Sequence, residues 1–83
     1  MNNTGSGTVF SPYQSSMTLA QSVQDALMRN PDPLIAQVHV VTNQNTVILS
    51  GYVKKIRQSD TAEQIARQVP GVQTVENNII VRQ

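Results

Sequence analysis

The fold is decided by residues 38–53, which read VHVVTNQNTVILSGYV. Apolar residues occupy every second position on both sides of a polar link, at Val38 and Val40 before it and at Val47, Leu49 and Val53 after it, with an interruption at Gly51. Such alternation is typical of strands with one buried face. The two runs therefore predict an antiparallel hairpin, with residues 42–45 as the connection. Because this connection contains no glycine, we expect a loop of three to five residues rather than a two-residue turn.

A helix is predicted before the hairpin. Thr18 followed by Gln21 has the form of a capping box, in which two otherwise unpaired amides at a helix start are satisfied. Apolar residues then recur at spacings of three and four, at Leu19, Val23, Ala26 and Leu27. This stripe predicts one buried helix face. The sequence Asn30-Pro31-Asp32-Pro33 ends the helix, because proline cannot continue the amide ladder.

A second helix is predicted after the hairpin. Its inner side carries the apolar residues Ile56, Ala62, Ile65, Ala66 and Val69. Two starts are compatible with the sequence: periodicity back to Ile56 favours a start near residue 55, whereas Asp60 followed by Glu63 resembles a capping box and favours residue 61. Pro70-Gly71 ends the helix in either case.

The segment Val72–Val81 alternates in the manner of a third strand. It follows the second strand and the second helix, so it should lie parallel to the second strand. The prediction is an α+β fold of order αββαβ, a three-stranded mixed sheet with two helices packed on one face. Asn77 points inward by parity, and we expect it to bond the backbone near the end of the sheet.

Length and composition limit the possible functions. The 83 residues allow one domain, and a formal net charge of +1 argues against a nucleic-acid binder. Residues 1–16 are uncharged and mostly polar, which predicts a flexible N-terminal arm before a domain at residues 17–83. The arm is either a leader or tether, or a segment that docks on the domain through its bulky residues Val9, Phe10 and Tyr13.

The sequence contains little that could support catalysis. There is no cysteine, and His39 is the single histidine, within a strand and without a neighbouring acid. No pair of histidines or carboxylates has the spacing of a metal site. We therefore predict no catalytic residue, no metal, no cofactor and no small-molecule substrate.

Across about residues 19–82 the chain resembles the BON domain, a module named for bacterial osmotic-shock and nodulation proteins. The order and spacing of four segments carry the resemblance: Val23–Leu27, the hairpin strands with Ser50-Gly51-Tyr52, Ala62–Ala66, and Val69-Pro70-Gly71-Val72. The chain departs from the family at the hairpin turn, where Asn43-Gln44-Asn45 replaces the usual Asn-Gly. The resemblance implies a non-catalytic module of bacterial periplasmic and envelope proteins that binds phospholipid surfaces or other envelope components.

Two surfaces are candidate binding sites. The first is a basic cluster of Tyr52, Lys54, Lys55 and Arg57, which suits anionic lipid headgroups; the alternative is a solvated loop. The second is the open sheet face, with Val41, Ile48, Tyr52 and Ile80 as candidate partner-binding residues. For this face three arrangements stay open: the arm covers it, a partner protein covers it, or its apolar groups lie too far apart to form a patch.

The predicted partners are therefore a phospholipid membrane surface or an envelope protein, with a structural role in a larger envelope or secretion assembly as the alternative function. The predicted location is the periplasm. Association with the outer membrane would follow if Met1 replaced a lipid-bearing cysteine, because residues 2–16 would then form the tether of a lipoprotein.

Overall fold

The computed structural model describes residues 18–82, so the predicted arm lies outside the described part of the chain. The elements are α1 (Leu19–Met28), α2 (Pro33–Ala36), β1 (His39–Asn43), β2 (Thr46–Val53), α3 (Ile56–Arg67) and β3 (Thr74–Val81). The sheet order is β1-β2-β3, with β1 antiparallel and β3 parallel to β2. The predicted αββαβ order and mixed sheet are confirmed, with a one-turn helix added before β1.

The first helix begins and ends where the sequence predicts. The Thr18 Oγ1 accepts from the Gln21 amide and the Gln21 Oε1 accepts from the Thr18 amide, both at 3.1 Å. The helix ends at Met28, ahead of the prolines. The prediction missed α2, in which Asp32 accepts from the Leu34 amide at 3.0 Å and Pro33 occupies the first helical position. Proline is favoured at that position because its missing N–H would be unpaired there.

The expected loop of three to five residues in the hairpin is wrong. Asn43 pairs with Thr46, so the connection consists of Gln44 and Asn45 alone. Gln44 supplies the positive φ, 57°, that glycine usually provides. Asn45 holds the turn against the loop before β3: its carbonyl accepts from the Gln73 amide at 2.9 Å, and its Nδ2 donates to the Gly71 carbonyl at 2.8 Å.

The early start of the second predicted helix is the one observed, because α3 begins at Ile56. The Gln58 side chain accepts from the amides of Lys54 and Lys55, each at 2.9 Å, and so satisfies donors at the helix start. Asp60 lies inside the helix, so the alternative start near residue 61 is wrong.

The helices cover one face of the sheet, as predicted. The buried apolar side chains are Val23, Leu27, Ile35, Val38, Val40, Val47, Leu49, Val53, Ala62 and Ala66. Burying a Val or Leu side chain contributes about 1.5–3 kcal/mol, so this layer dominates the stability. The inward residues of β3, namely Val75, Ile79 and Val81, are only half-buried, in keeping with its position at the sheet edge.

The prediction that Ile56 lies on the inner side of α3 is wrong, since its side chain is 65% exposed. The buried stripe of α3 consists of Ser59, Ala62 and Ala66. Ile56 precedes this stripe by one turn, at the first residue of the helix, where its side chain remains in solvent.

Candidate functional site

Strand pairing brings the ends of β2 and β3 together. Tyr52 pairs with Ile80 and Val53 with Val81, and the Arg82 amide donates to the Val53 carbonyl at 2.7 Å. The residues that follow both strands therefore leave the sheet at the same end of the molecule. We call this surface the cationic end and define it by Tyr52, Lys54, Lys55, Arg57 and Arg82.

Most of the free positive charge of the described chain lies at the cationic end. The sequence has six Lys and Arg residues. Two of them are neutralised on helix surfaces, Arg29 by Asp25 and Arg67 by Glu63, each at 2.7 Å. Within residues 18–82 the other four, at the cationic end, form no salt bridge, and all four are exposed. The basic side chains of the described residues that form no salt bridge are therefore concentrated at one end of the molecule.

The backbone that carries the two lysines is fixed from within. Besides accepting from the amides of Lys54 and Lys55, Gln58 donates through Nε2 to Asp32 Oδ2 at 2.9 Å. Asp32 also caps α2, so the start of α3 is tied to the segment between α1 and β1. The bonds use the lysine amides and leave the ammonium groups free to bind a partner.

Exposed apolar side chains accompany these charges. Tyr52 is 58%, Ile56 65% and Ile80 60% exposed, and the Arg82 guanidinium lies 5.6 Å from the centre of the Tyr52 ring. A cation at this distance from an aromatic face is attracted to it by about 0.5–1 kcal/mol at an exposed site. Cations interleaved with apolar groups are typical of surfaces that rest on lipid headgroups.

A groove opens beside the cationic end, between the segment that precedes β1 and the first turns of α3. Its volume is ≈ 330 Å³, and its lining includes Asn30, Asp32, Ile35, Lys55, Arg57 and Gln58. The hydrogen bond from Gln58, the bond from the Leu34 amide and the nearby Lys55 charge hold the pKa of Asp32 below its usual value. Asp32 is therefore ionised at neutral pH, opposite two cations. We call this feature the Asp32 groove.

The open face of the sheet carries two apolar pairs rather than one patch. Val41 pairs with Ile48 across β1 and β2, and Tyr52 pairs with Ile80 across β2 and β3. The polar row of His39, Ser50 and Asn78 separates the two pairs. Val41 and Ile80 are exposed, whereas Ile48 is half-buried.

Arg82 and Asp32 belong to the cationic end and the Asp32 groove, respectively, in the structure but are not predicted for these surfaces from the sequence. Arg82 lies beside Val53 because of the register in which β2 and β3 pair. That register depends on the length of the connection through α3, so it could not be predicted from the strand sequences. The sequence pattern places Asp32 only in the segment that ends α1. The feature of the sequence that could have indicated its role is the Asp32-Pro33 pair. Such a pair is typical of a helix start, where the carboxylate turns inward to cap the helix.

The described residues contain no group of three or more His, Cys, Asp or Glu side chains that could hold a metal ion. Over residues 18–82, none of the helices has the length and apolar character needed to cross a membrane.

Comparison with known proteins gives a family and a similar fold among solved structures. The family description that matches residues 15–83 is that of the BON domain. No curated protein matches the chain. Among solved structures, the chain is similar to the C-terminal domain of CdsD, the structural protein of the type III secretion system of Chlamydia trachomatis, with a TM-score of 0.62 and 20% identity. The alignment covers 94% of this chain and 37% of that one, and at this identity it shows the fold alone.

Proposed function

Because the chain belongs to the BON domain family, whose members are envelope and periplasmic modules, we propose that it is a non-catalytic envelope domain that docks on anionic phospholipid through its cationic end. One observation carries the proposal: four cations without a salt bridge lie together with three exposed apolar side chains. This combination supplies both electrostatic attraction and shallow apolar contact.

The expected strength follows from the number of charges. Each Lys or Arg near an anionic leaflet contributes about 1 kcal/mol, so the four cations together contribute about 4 kcal/mol. Exposed charges are screened by salt over a Debye length of about 10 Å at 0.1 M, so docking should be reversible and sensitive to ionic strength. The domain would therefore need a second attachment for permanent residence at a membrane.

Cosedimentation of the full chain with vesicles tests the proposal. Vesicles of phosphatidylglycerol and phosphatidylcholine in equal amounts should bind it at ~50 mM NaCl and release it at ~500 mM, whereas phosphatidylcholine alone should not bind. Replacing Lys54 and Lys55 with Gln should lower the partition coefficient about 30-fold, because two contributions of ~1 kcal/mol are lost.

The matched control is the double variant Arg29→Gln, Arg67→Gln, which changes the net charge by the same amount away from the cationic end. It should change the partition coefficient less than about threefold, since long-range attraction is screened. Equal losses in the two double variants would show that only net charge matters, and the docking site would then be wrong.

A second candidate is a structural protein–protein domain that uses the open sheet face. Its support is the exposure of Val41 and Ile80, together with a fold shared with a structural protein of a secretion system. Two results together would support this candidate over lipid docking. The full chain would bind no vesicle, and the double variant Val41→Ser, Ile80→Ser would abolish a measured self-association. Both substitutions lie on the surface and should change stability little.

A further inference from the structure

The Asp32 groove is lined by one negatively charged and two positively charged side chains, whereas a site for a simple anion would be lined by positive charges alone. We propose that it binds a phosphoethanolamine headgroup, with the phosphate at Lys55 and Arg57 and the primary ammonium at Asp32. This inference rests on the proposed docking at a phospholipid surface and names the headgroup that the same end of the molecule selects.

The groove has the size and lining of a small-molecule site. Its ≈ 330 Å³ lies at the lower end of the ~300–1,000 Å³ range of such pockets, which suits a headgroup rather than a whole lipid. Asn30, Gln58 and Thr61 supply polar groups along its walls, and Ile35, buried in the core, supplies an apolar surface for the ethylene linker. The position beside the cationic end places the groove at the membrane surface in the proposed docked state.

The charges on the two sides of the groove are free to bind. Lys55 and Arg57 form no salt bridge within residues 18–82. Each oxygen of Asp32 accepts one hydrogen bond, Oδ1 from the Leu34 amide at 3.0 Å and Oδ2 from Gln58 Nε2 at 2.9 Å. An ionised carboxylate offers about four acceptor positions, so Asp32 keeps acceptor capacity for an ammonium group.

The presence of Asp32 discriminates among headgroups. A carboxylate beside the two cations repels a purely anionic headgroup and attracts one that carries its own positive charge. A primary ammonium also donates hydrogen bonds, which the trimethylammonium of choline cannot do. Ethanolamine should therefore be preferred over choline, although both headgroups are zwitterionic.

Titration of the full chain with soluble headgroups, followed by amide chemical shifts, tests the assignment. Glycerophosphoethanolamine should shift the amides of Leu34, Lys55 and Gln58, and should bind about fivefold more tightly than glycerophosphocholine, the difference expected from one exposed charge contact. Inorganic phosphate should shift only the amides of Lys55 and Arg57, and it should bind more weakly than glycerophosphoethanolamine.

The decisive variant is Asp32→Asn. Asparagine caps helices as well as aspartate does, so α2 should be retained while the charge is lost. Because the asparagine Nδ2 cannot accept from Gln58 Nε2, unchanged amide shifts of Lys54 and Lys55 in the free variant serve as the check that the start of α3 stays in place. Binding of glycerophosphoethanolamine should fall about fivefold, to the level of glycerophosphocholine. Equal affinity for the two compounds in the wild-type protein, no detectable binding of glycerophosphoethanolamine, or no change in Asp32→Asn would overturn the headgroup assignment.

Vesicles separate this inference from the docking proposal. Asp32→Asn should still sediment with phosphatidylglycerol vesicles, since the four cations are intact, but should lose the preference for added phosphatidylethanolamine over added phosphatidylcholine. If the wild-type chain binds phosphatidylglycerol and shows no such preference, the headgroup assignment fails and docking stands. If the lysine double variant binds as wild type, docking itself fails.

Discussion

At the scale of single residues, Asn77 joins the edge strand to the helix above it. Its Nδ2 donates to Ser59 Oγ and to Glu63 Oε1, each at 3.0 Å, and its Oδ1 accepts from the Ile79 amide at 2.9 Å. Ser59 is buried, so its hydroxyl depends on a partner inside the protein. Strand parity predicted that Asn77 points inward, but its bonds to Ser59 and Glu63 depend on which turn of α3 crosses β3.

Replacing Asn77 with Ala should lower the free energy of unfolding by about 1–3 kcal/mol, because it leaves buried polar groups unsatisfied. Urea denaturation monitored by circular dichroism measures the change. The control is Asn78→Ala on the open face, where within residues 18–82 the side chain bonds only to Glu76, at 2.8 Å, and the loss should stay below ~0.5 kcal/mol. Similar losses in the two variants would contradict this account of Asn77.

The hydrogen bond between Asn77 and Glu63 makes part of the stability depend on pH. The hydrogen bond from Asn77, followed by that from Arg67, lowers the pKa of Glu63 below its ordinary value of 4.5. A depressed carboxyl pKa stabilises the folded state above the unfolded-state value, and this contribution is lost as pH falls through the folded-state value. The difference in stability between the wild type and Asn77→Ala should therefore be largest at neutral pH and shrink below 4.5. A difference that is constant from neutral pH to pH ~3 would contradict it.

At the scale of elements, the length of the hairpin turn depends on contacts that the local sequence pattern does not contain. The sequence lacks the glycine that favours a two-residue turn, yet the turn has two residues because contacts outside it stabilise it. The bond from Asn45 to the Gly71 carbonyl joins the turn to the loop that leads into β3. That contact spans 26 residues, so no reading of residues 42–45 alone could predict it.

Removing this contact with Asn45→Ala should lower the free energy of unfolding by about 0.5–1.5 kcal/mol, the usual net value of one hydrogen bond. Thermal and urea denaturation both report it. Gln44→Ala is the matched control, because alanine keeps the same strained backbone and no side-chain bond to Gln44 is present in the described structure. If Gln44→Ala costs as much as Asn45→Ala, the turn is limited by its own backbone and not by the contact with Gly71.

The longer elements were predictable because each carries several agreeing local signals. For α1 these are the Thr18–Gln21 capping box, the apolar stripe and the prolines that follow. In the strands, apolar residues occupy most of the inward positions, at every second residue. The short helix α2 and the start of α3 were not determined, because one turn has no periodicity and Asp60 carried a competing signal. For Ile56, the helical spacing was correct but did not predict that the side chain is exposed.

At the scale of the whole molecule, the basic side chains that form no salt bridge within residues 18–82 lie together at one end of a nearly neutral chain. Lys54, Lys55 and Arg57 are close in sequence, so their proximity was predictable. Arg82 joins them only through the parallel register of β2 and β3, and Asp32 faces them only through the turn that forms α2. The open face had been expected to display four apolar groups, but the register divides them into two pairs and weakens the case for a continuous docking patch there.

The most direct test of the central claim is the orientation of the full chain on a membrane. Nanodiscs of phosphatidylglycerol and phosphatidylcholine that carry a spin-labelled lipid would broaden the amide signals of residues nearest the bilayer. We expect broadening at residues 52–57 and 80–82, and sharp signals at residues 43–46 and 71–74, which lie at the opposite end of the sheet. Broadening centred on residues 43–46, or on the outer faces of α1 and α3, would contradict docking through the cationic end.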